Sequence, residues 1–523
     1  MTSIPVWRGI GQTPLPGRED RDVPIVIVGG GPVGLALAID LGQRGHRVVV
    51  LNRLDVIAAG SKAICYAKHS LEYLDRLGVG DAAVARGVTW NTGKVFWKDK
   101  ASPIYSFDLL PVRQQKMPAF INLQQYLLEE MLVERLHALP NVALRWGHEV
   151  TGIAPGGDGV TLTVNVGSQA YTQRAAWVVA CDGSRSTIRQ RMGLDFEGRG
   201  FEDNFLIADI RLKADLPSER WFWFDPPFNP GRTALLHRQP DDVWRLDFQL
   251  GPGIDRAAAI RPEAVDPLVC GLLGAHVAYD RVWYSVYAFQ CRRMARFVHD
   301  RVLFAGDAAH LVSPFGARGC NGGFADVANL AWKLDRVVGG TAGGALLETY
   351  NDEAVAAADE NIRHSTRATD FISPGSPGAT GLRDAVLALA DDTAFARAMV
   401  NSGRLFAPAR LVGSALNTPD RDDWGSKGVP PGCAAIDAPL GSGWLLAHCG
   451  QGFTLLSNGP FDPGLPDLRC LDIQHATIAV ERYALPVGGA VLVRPDRLVC
   501  ARWHAATAAD VHRAVATAMN RGP

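Results

Sequence analysis

The chain has 523 residues, 47% of them hydrophobic and 8% aromatic, enough for roughly two to four domains around a sizeable core. Lys and Arg total 53 against 54 Asp and Glu, a balance that provides no net field for nucleic acid or an anionic membrane and leaves small molecules as the expected partners. The nine cysteines are odd in number, scattered and never spaced C-x-x-C, which argues against a disulfide framework or a metal site and for a reducing cytoplasm.

Residues 1–22 carry Pro and charge without an apolar core of signal-peptide length and read as a flexible N-terminal arm. No uncharged run elsewhere reaches the roughly 18 apolar residues that a membrane span needs. From Val23, "VPIVIVGGGPVGLALAIDLGQRGHRVVVLNR" reads as a buried strand, a glycine turn, a helix and a second strand, the opening of a βαβ unit. Gly29, Gly31 and Gly34 form G-x-G-x-x-G in that context. Gly29 would permit the tight turn, Gly31 the approach of a pyrophosphate, and Gly34 close packing of helix on strand, with the helix N-terminus stabilising the anion.

Asn52 lies 18 residues beyond Gly34, where an acidic residue normally grips a ribose, and Arg53 follows it. An amide oxygen can still accept from a ribose hydroxyl. The bond is neutral instead of charge-assisted, a loss of about 1 kcal/mol that leaves the pyrophosphate site intact.

Leu spacing predicts amphipathic helices over 70–81 and 124–139, followed by strands through "VALRWGHEVTGIAPGGDGVTLTVNV" to "AAWVVACDG". Between about 200 and 295 the pattern is mostly β. In "DVWRLDFQL", Trp244, Leu246, Phe248 and Leu250 alternate with Val243, Arg245, Asp247 and Gln249, which makes Trp244 and Phe248 candidates for a pocket wall, with ordinary sheet core the more common role for either residue. A strand over 301–310 runs through a Gly-rich loop into a helix over 324–338, so the β-rich block reads as an insertion. Helical text continues to about 412, "LNTPDRDDWGSKGVPPG" marks a boundary, and the remainder reads as a small α/β appendix. No second G-x-G-x-x-G follows a strand, since "VVGGTAGGA" (337–345) comes after a helix, so no separate nicotinamide domain is expected.

With "VVACDGSRSTIR" (178–189) and "LFAGDAAHLVSPFGARGCNGGFADVANLAWKL" (303–334) added, the chain resembles the FAD-dependent aromatic monooxygenases of the para-hydroxybenzoate hydroxylase type. Within them it is most similar to the phenol hydroxylase and 3-(3-hydroxyphenyl)propionate hydroxylase branch. The resemblance covers about 23–370 and, more weakly, 430–505. It implies an α/β chain, α+β overall: a Rossmann-like FAD-binding domain over 23–370 with an inserted β-rich substrate domain (about 91–120 and 200–295), a helical segment and linker over 371–429, and a thioredoxin-like C-terminal domain over 430–523.

The resemblance also assigns roles. Asp307 would accept from the ribityl hydroxyls of FAD, or simply cap a helix. Asp182, with Gly183, would lie in a turn shared by the FAD and NAD(P)H regions, or form a plain turn. Pro314 and the N–H groups of Gly319, Cys320 and Asn321 would border the flavin ring, Cys320 serving through its backbone. Gln125, with Gln124 a close competitor, would contact the flavin chain. Lys62 stands where relatives commonly have Arg, keeping the charge but losing a bidentate fork. The implied activity is hydroxylation of a phenolic compound using NADH or NADPH and O2 through a flavin C4a-hydroperoxide, in aromatic catabolism. Its partners would be the phenol, O2 and, as is common among relatives, a second copy of the chain.

Two other readings stand beside this one. "WFWFDP" (221–226) superficially resembles the W-x-W-x-I-P signature of flavin-dependent halogenases, with Asp225 in place of Ile. A catalytically silent FAD-binding scaffold is the other. Lacking C-x-x-C, the C-terminal region is not expected to exchange disulfides.

Overall fold

The computed structural model describes residues 11–57, 63–110, 112–212, 216–401 and 405–520. The first strand, β1 (Asp22–Val28), is an almost continuous apolar run, as a strand covered on both faces must be. Helix α1 (Pro32–Gln43) follows with Pro32 in its first turn, where a missing N–H costs nothing. Next come β2 (Val48–Asn52), β3 (Val142–Trp146), the long β4 (Gln169–Ala180) and β5 (Val302–Phe304). These five strands are parallel in the order β5-β4-β1-β2-β3, so their C-terminal ends form one rim. Loops on that rim are where such sheets bind ligands.

Helix α2 (Gly319–Val338) and helix α3 (Ala345–Ile372) pack behind the rim. The expected helix over 324–338 thus begins five residues earlier. The expected strand over 301–310 stops at Phe304, because Gly306 takes φ +61° and turns the chain. The helix expected over 70–81 breaks at Gly78, φ +88°, into Lys68–Leu77 and Gly80–Arg86. The helix expected over 124–139 spans Gln125–His137. Residues 1–10 of the expected flexible arm lie outside the described residues. The rest is tied down: Thr13 N–H donates to the Trp146 carbonyl at 2.9 Å, and the Arg145 guanidinium to the Asp20 carbonyl at 2.9 Å.

A seven-stranded sheet stands over the rim. Its strands, in spatial order, are 280–287, 204–211, 243–251, 233–238, 220–224, 92–97 and 105–108, so two distant stretches of sequence build it. The helix Pro262–Leu273 covers its outer face, burying Val265 and Val269 against Trp244, Leu246 and Phe248. Trp244 and Phe248 are therefore sheet core under a helix and not a pocket wall, and the alternate face carries Arg245, Asp247 and Gln249. Trp221 and Trp223 also lie on the outer face, beside Phe96 with ring centroids 5.5 and 5.1 Å away. The aromatic signature there is sheet packing.

The C-terminal sheet has the order 468–472, 453–457, 490–493, 499–503, its first pair parallel and the rest antiparallel. It docks on α2 and α3 through a fully buried ionic cluster. Glu353 on α3 accepts from Lys333 Nζ at 2.7 Å and from both Nη atoms of Arg494 at 2.6 and 2.8 Å, while Asp496 faces Arg494 and accepts from Trp332 Nε1 at 3.2 Å. A buried carboxylate shared by two cations cannot be removed without leaving charge unmatched. Glu353→Ala is expected to cost about 3–5 kcal/mol in guanidinium unfolding.

On α1 the buried Asp40 accepts from Arg76 Nη1 and Arg44 Nε, both at 2.9 Å, and from Tyr73 Oη at 3.1 Å. Burial alone would raise its carboxyl, but Arg76 and Arg44 outweigh that and lower it to about 2. An unfolded Asp titrates near about 4, so this group contributes about 2 kcal/mol, fully present above about pH 5 and lost as pH falls toward about 2. Asp40→Asn should therefore be less stable at neutral pH and should lack that acid-side decline, as read from denaturation midpoints across pH.

Candidate functional site

Three turns meet at the C-terminal rim, the first two by direct backbone contact. Gly29 has φ +112°, and a Cβ there would stand 2.3 Å from the Cys181 carbonyl oxygen. At Gly34 a Cβ would stand 2.1 Å from the Gly29 carbonyl oxygen, so α1 rests directly on the turn. Gly31 differs: its φ is −81°, and a Cβ would meet nothing within 4 Å. The open face lies over the N-terminus of α1, which has no side-chain cap and no acidic residue in its first turn. Its unopposed N–H groups make a ready anion site.

Asn52 reaches this loop, with a different bond from the one the sequence suggests. Its Oδ1 accepts from Gly30 N–H at 3.2 Å and its Nδ2 donates to the Leu54 carbonyl at 3.1 Å. The amide braces the glycine turn, with one lone pair of the oxygen already engaged. Arg53 is exposed beside it. Lys62 lies outside the described residues.

The second turn is fastened to the first by Cys181 N–H to the Val28 carbonyl at 2.8 Å. Asp182 accepts from Ile188 N–H through Oδ2 at 3.1 Å, which caps the short helix Thr187–Arg191. Its other oxygen is buried with no partner. Burial raises this carboxyl, held in check by its hydrogen bonds. Gly183 follows at φ +83°.

Arg189 went unmarked in the sequence, where it is one letter of "STIR". It ties the second turn to the third, donating to the Ser184 and Ala308 carbonyls at 2.8 and 2.9 Å. In the third turn Gly306 N–H donates to Asp326 Oδ2 at 2.9 Å, and the same oxygen lies 2.7 Å from His310 Nε2. Burial works against a charged His310, but Asp326 prevails and raises it. No spacing rule singles out this pair. Val33 from the first turn packs against both Gly306 and Gly323, closing the triangle.

Asp307 is exposed, and its Oδ1 is 4.0 Å from where a Gly319 Cβ would stand. The first turn of α2 is therefore at its side, with the Gly319, Cys320 and Asn321 N–H groups preceding the first helical bond, Gly322 N–H to Arg318 carbonyl at 2.7 Å. The Asn321 side chain pins the strand Cys65–Ala67, accepting from Ala67 N–H and donating to the Cys65 carbonyl, both at 2.9 Å. Burial, with Asp307 and Glu129 nearby, raises the Cys320 thiol well above its ordinary range, so it stays protonated. Gln125 holds the chain after residue 62 by accepting from Ala63 N–H at 3.0 Å. Gln124 is buried and points to the Pro240 carbonyl at 3.4 Å.

Pro314 is exposed at the start of a single turn, while the next residue, Phe315, is buried edge-on against Phe205 and Phe289 at centroid distances of 4.6 and 5.2 Å. That contact joins the loop to the inner face of the sheet. An open cradle at Gly31, an orphaned buried oxygen on Asp182 and two uncapped helix N-termini together fit an extended anionic dinucleotide such as FAD.

A family model described as FAD binding domain matches residues 22–365. The chain is 31% identical over 445 residues to a probable NADH-specific resorcinol 4-hydroxylase of Rhodococcus jostii, across 83% of this chain and 81% of that one. It is 31% identical over 365 residues to a 3-(3-hydroxy-phenyl)propionate/3-hydroxycinnamic acid hydroxylase of Klebsiella pneumoniae, across 69% of this chain and 64% of that one. Among solved structures it is similar to the flavin-dependent monooxygenase PieE in complex with FAD and substrate, with TM-score 0.79 and 22% identity over 96% of this chain and 100% of that one. At that identity the likeness carries the fold.

The glycines separate two effects that a binding assay alone would merge. Gly31→Ala should fold with an unchanged apoprotein melting temperature yet lose FAD retention. Gly34→Ala should lower the apoprotein melting temperature itself, because its Cβ meets backbone.

Proposed function

Because the chain belongs to the family of FAD binding domains, with residues 22–365 matched, we propose that it hydroxylates a phenolic aromatic compound, with FAD bound, NADH or NADPH as reductant and O2 as oxidant. The observation that carries this reading is the convergence of the three turns beneath an inserted sheet whose inner face carries aromatic side chains. The names of both hydroxylase relatives support a phenolic substrate, and that of the Rhodococcus relative supports NADH.

Bound FAD supplies the chemistry that side chains lack, electron transfer from the nicotinamide and activation of O2. The chain's residues hold and enclose it. The Gly31 backbone and the N-terminus of α1 would bind the pyrophosphate, Asp307 the ribityl hydroxyls, and Gln125 the region beside Ala63. The Gly319, Cys320 and Asn321 N–H groups present the positive end of α2 to the ring. Over them Phe205, Phe222, Phe224, Leu235, Phe289 and Phe315 pack with Ile372, Leu387, Ala396 and Val400 into one buried apolar cluster, which would exclude water from that side of the reacting centre.

We also read the C-terminal sheet as thioredoxin-like, supported by its strand order and directions. With all nine cysteines unpaired, its part is packing, and the protein's place is the reducing cytoplasm. No helix among the described residues is long and apolar enough to cross a membrane. A homodimer is the proposed assembly.

Purified protein is expected to be yellow, and a matching phenol should accelerate NAD(P)H oxidation with a product one oxygen heavier. Colourless protein that stays empty when offered FAD defeats the reading. Halide-dependent chlorination would favour the halogenase alternative, and retained flavin that no phenol renders reducible would favour a silent scaffold.

A further inference from the structure

The N-terminal arm reaches the rim where the cofactor is expected, and a set of bonds fastens it there. It runs from the start of β1 at Asp22 to Trp146, the last residue of β3, and so travels the length of the sheet. At the rim Thr13 N–H donates to the Trp146 carbonyl and Trp146 N–H to Thr13 Oγ1, both at 2.9 Å. The Thr13 carbonyl lies 2.9 Å from His148 Nε2, and His148 Nδ1 lies 3.0 Å from Tyr171 Oη. A carbonyl only accepts, so Nε2 carries the proton and Nδ1 accepts from Tyr171, whose oxygen accepts in turn from Arg145 Nη1 at 3.2 Å. Arg21 closes the base of the arm. Its Nε and Nη2 donate to the Pro16 carbonyl at 3.2 and 3.1 Å, and its guanidinium lies 5.3 Å from the Tyr171 ring centroid.

The arm grips the segment that backs the glycine turn. At Gly147, φ +73°, a Cβ would stand 3.0 Å from Gln12 Cγ, so the arm lies directly on that residue. Gly147 N–H donates to the Leu54 carbonyl at 3.0 Å and His148 N–H to the Asn52 carbonyl at 2.9 Å. Trp146 is the register partner of Asn52 on β2. Asn52 Oδ1 then accepts from Gly30 N–H at 3.2 Å. A continuous series of bonds thus leads from Thr13 through 146–148 and Asn52 to the turn whose open Gly31 face would take the pyrophosphate.

His148 is 1% exposed. Burial lowers it, the Thr13 carbonyl opposes that, and Arg145 lowers it further. The charged groups on its Tyr171 side are Arg145 of β3 and, over the Tyr171 ring, Arg21 of the arm, both cations. A second proton would have to enter at Nδ1, against them and in place of the Tyr171 bond. An unfolded His titrates near about 6.5, and the folded value is below it, so the bond to Thr13 is fully present above about pH 6.5 and is lost as pH falls through the lowered value.

We propose that the N-terminal arm is a positioning element of the cofactor site, a latch that holds 146–148 and Asn52 in place for the adenosine half of FAD. It rests on the FAD-binding reading and is independent of the substrate. The effect must be mutual: whatever the seated arm adds to FAD affinity, bound FAD adds to the hold on the arm.

Two readouts test this apart from turnover. Thr13→Pro removes the N–H and the Oγ1 acceptor together, and FAD affinity, read from flavin fluorescence on titration with apoprotein, should fall about tenfold while the apoprotein melting temperature stays near that of wild type. His148→Gln keeps a donor for the Thr13 carbonyl, so it should bind FAD well at neutral pH and lose the decline in affinity that wild type shows toward acid. Trypsin reads the coupling from the other end: cleavage after the exposed Arg18 should slow several-fold when FAD is added to wild type and should ignore FAD in Thr13→Pro. Unchanged FAD affinity in Thr13→Pro, an acid decline equally steep in His148→Gln, or wild-type cleavage indifferent to FAD overturns the proposal. Should Thr13→Pro fail to fold, Thr13→Val, which loses only the Oγ1 acceptor, and the wild-type proteolysis decide it. Wild type that binds no FAD would defeat the cofactor reading and this one with it, whereas equal binding by wild type and Thr13→Pro defeats this one alone.

Discussion

The site depends on a backbone contact where no side chain fits. The Gly29 carbonyl occupies the place a Gly34 Cβ would need, and the Cys181 carbonyl the place a Gly29 Cβ would need. These two approaches press α1, β1 and β4 together at the rim, and they aim the N-terminus of α1 along the rim into open space. Val33, one residue before Gly34, is thereby carried against Gly306 and Gly323, which positions the third turn and the start of α2. Three stretches separated by more than 100 residues each become one surface, the first two through main-chain contact and the third through the side chains of Val33 and Arg189.

This contact also explains what the sequence could reveal. Gly29 and Gly34 were legible because a backbone that must come within van der Waals distance of another leaves a residue-type signature, and a strand before and a helix after the motif, which also contains the open Gly31, give it meaning. The apolar runs marked β1, β2 and β4 as strands, while their order in the sheet is a property of the fold alone. The orientation of the inserted sheet was not legible. Alternation in "DVWRLDFQL" defines two faces without saying which is inward, and here the helix Pro262–Leu273 claims the apolar one. That leaves the face with Arg245 and Asp247 on the opposite side, so the pocket-wall reading of Trp244 and Phe248 falls and the sheet-core reading stands.

The start of α2 was hidden for a related reason. Gly319, Gly322 and Gly323 are poor helix formers, so local propensity places the helix later, whereas Asn321 anchors that turn to the strand Cys65–Ala67 by tertiary bonds. Asn52 shows a limit of another kind. Its position was legible but its principal bond was not, because an amide can serve the neighbouring Gly30 N–H as well as a sugar.

The ionic cluster at the far end of α2 has a consequence for modularity. One 20-residue helix presents its first turn to the loops of the rim and, about 30 Å of fold away at most, seats Lys333 and Trp332 against residues of the C-terminal domain. That domain is therefore not a detachable cassette. A chimaera that imports a tail from a related enzyme would have to bring counterparts of Arg494 and Asp496 matched to Lys333 and Glu353, and recombination that separates these four would graft a mismatch onto the very rod that supports the cofactor.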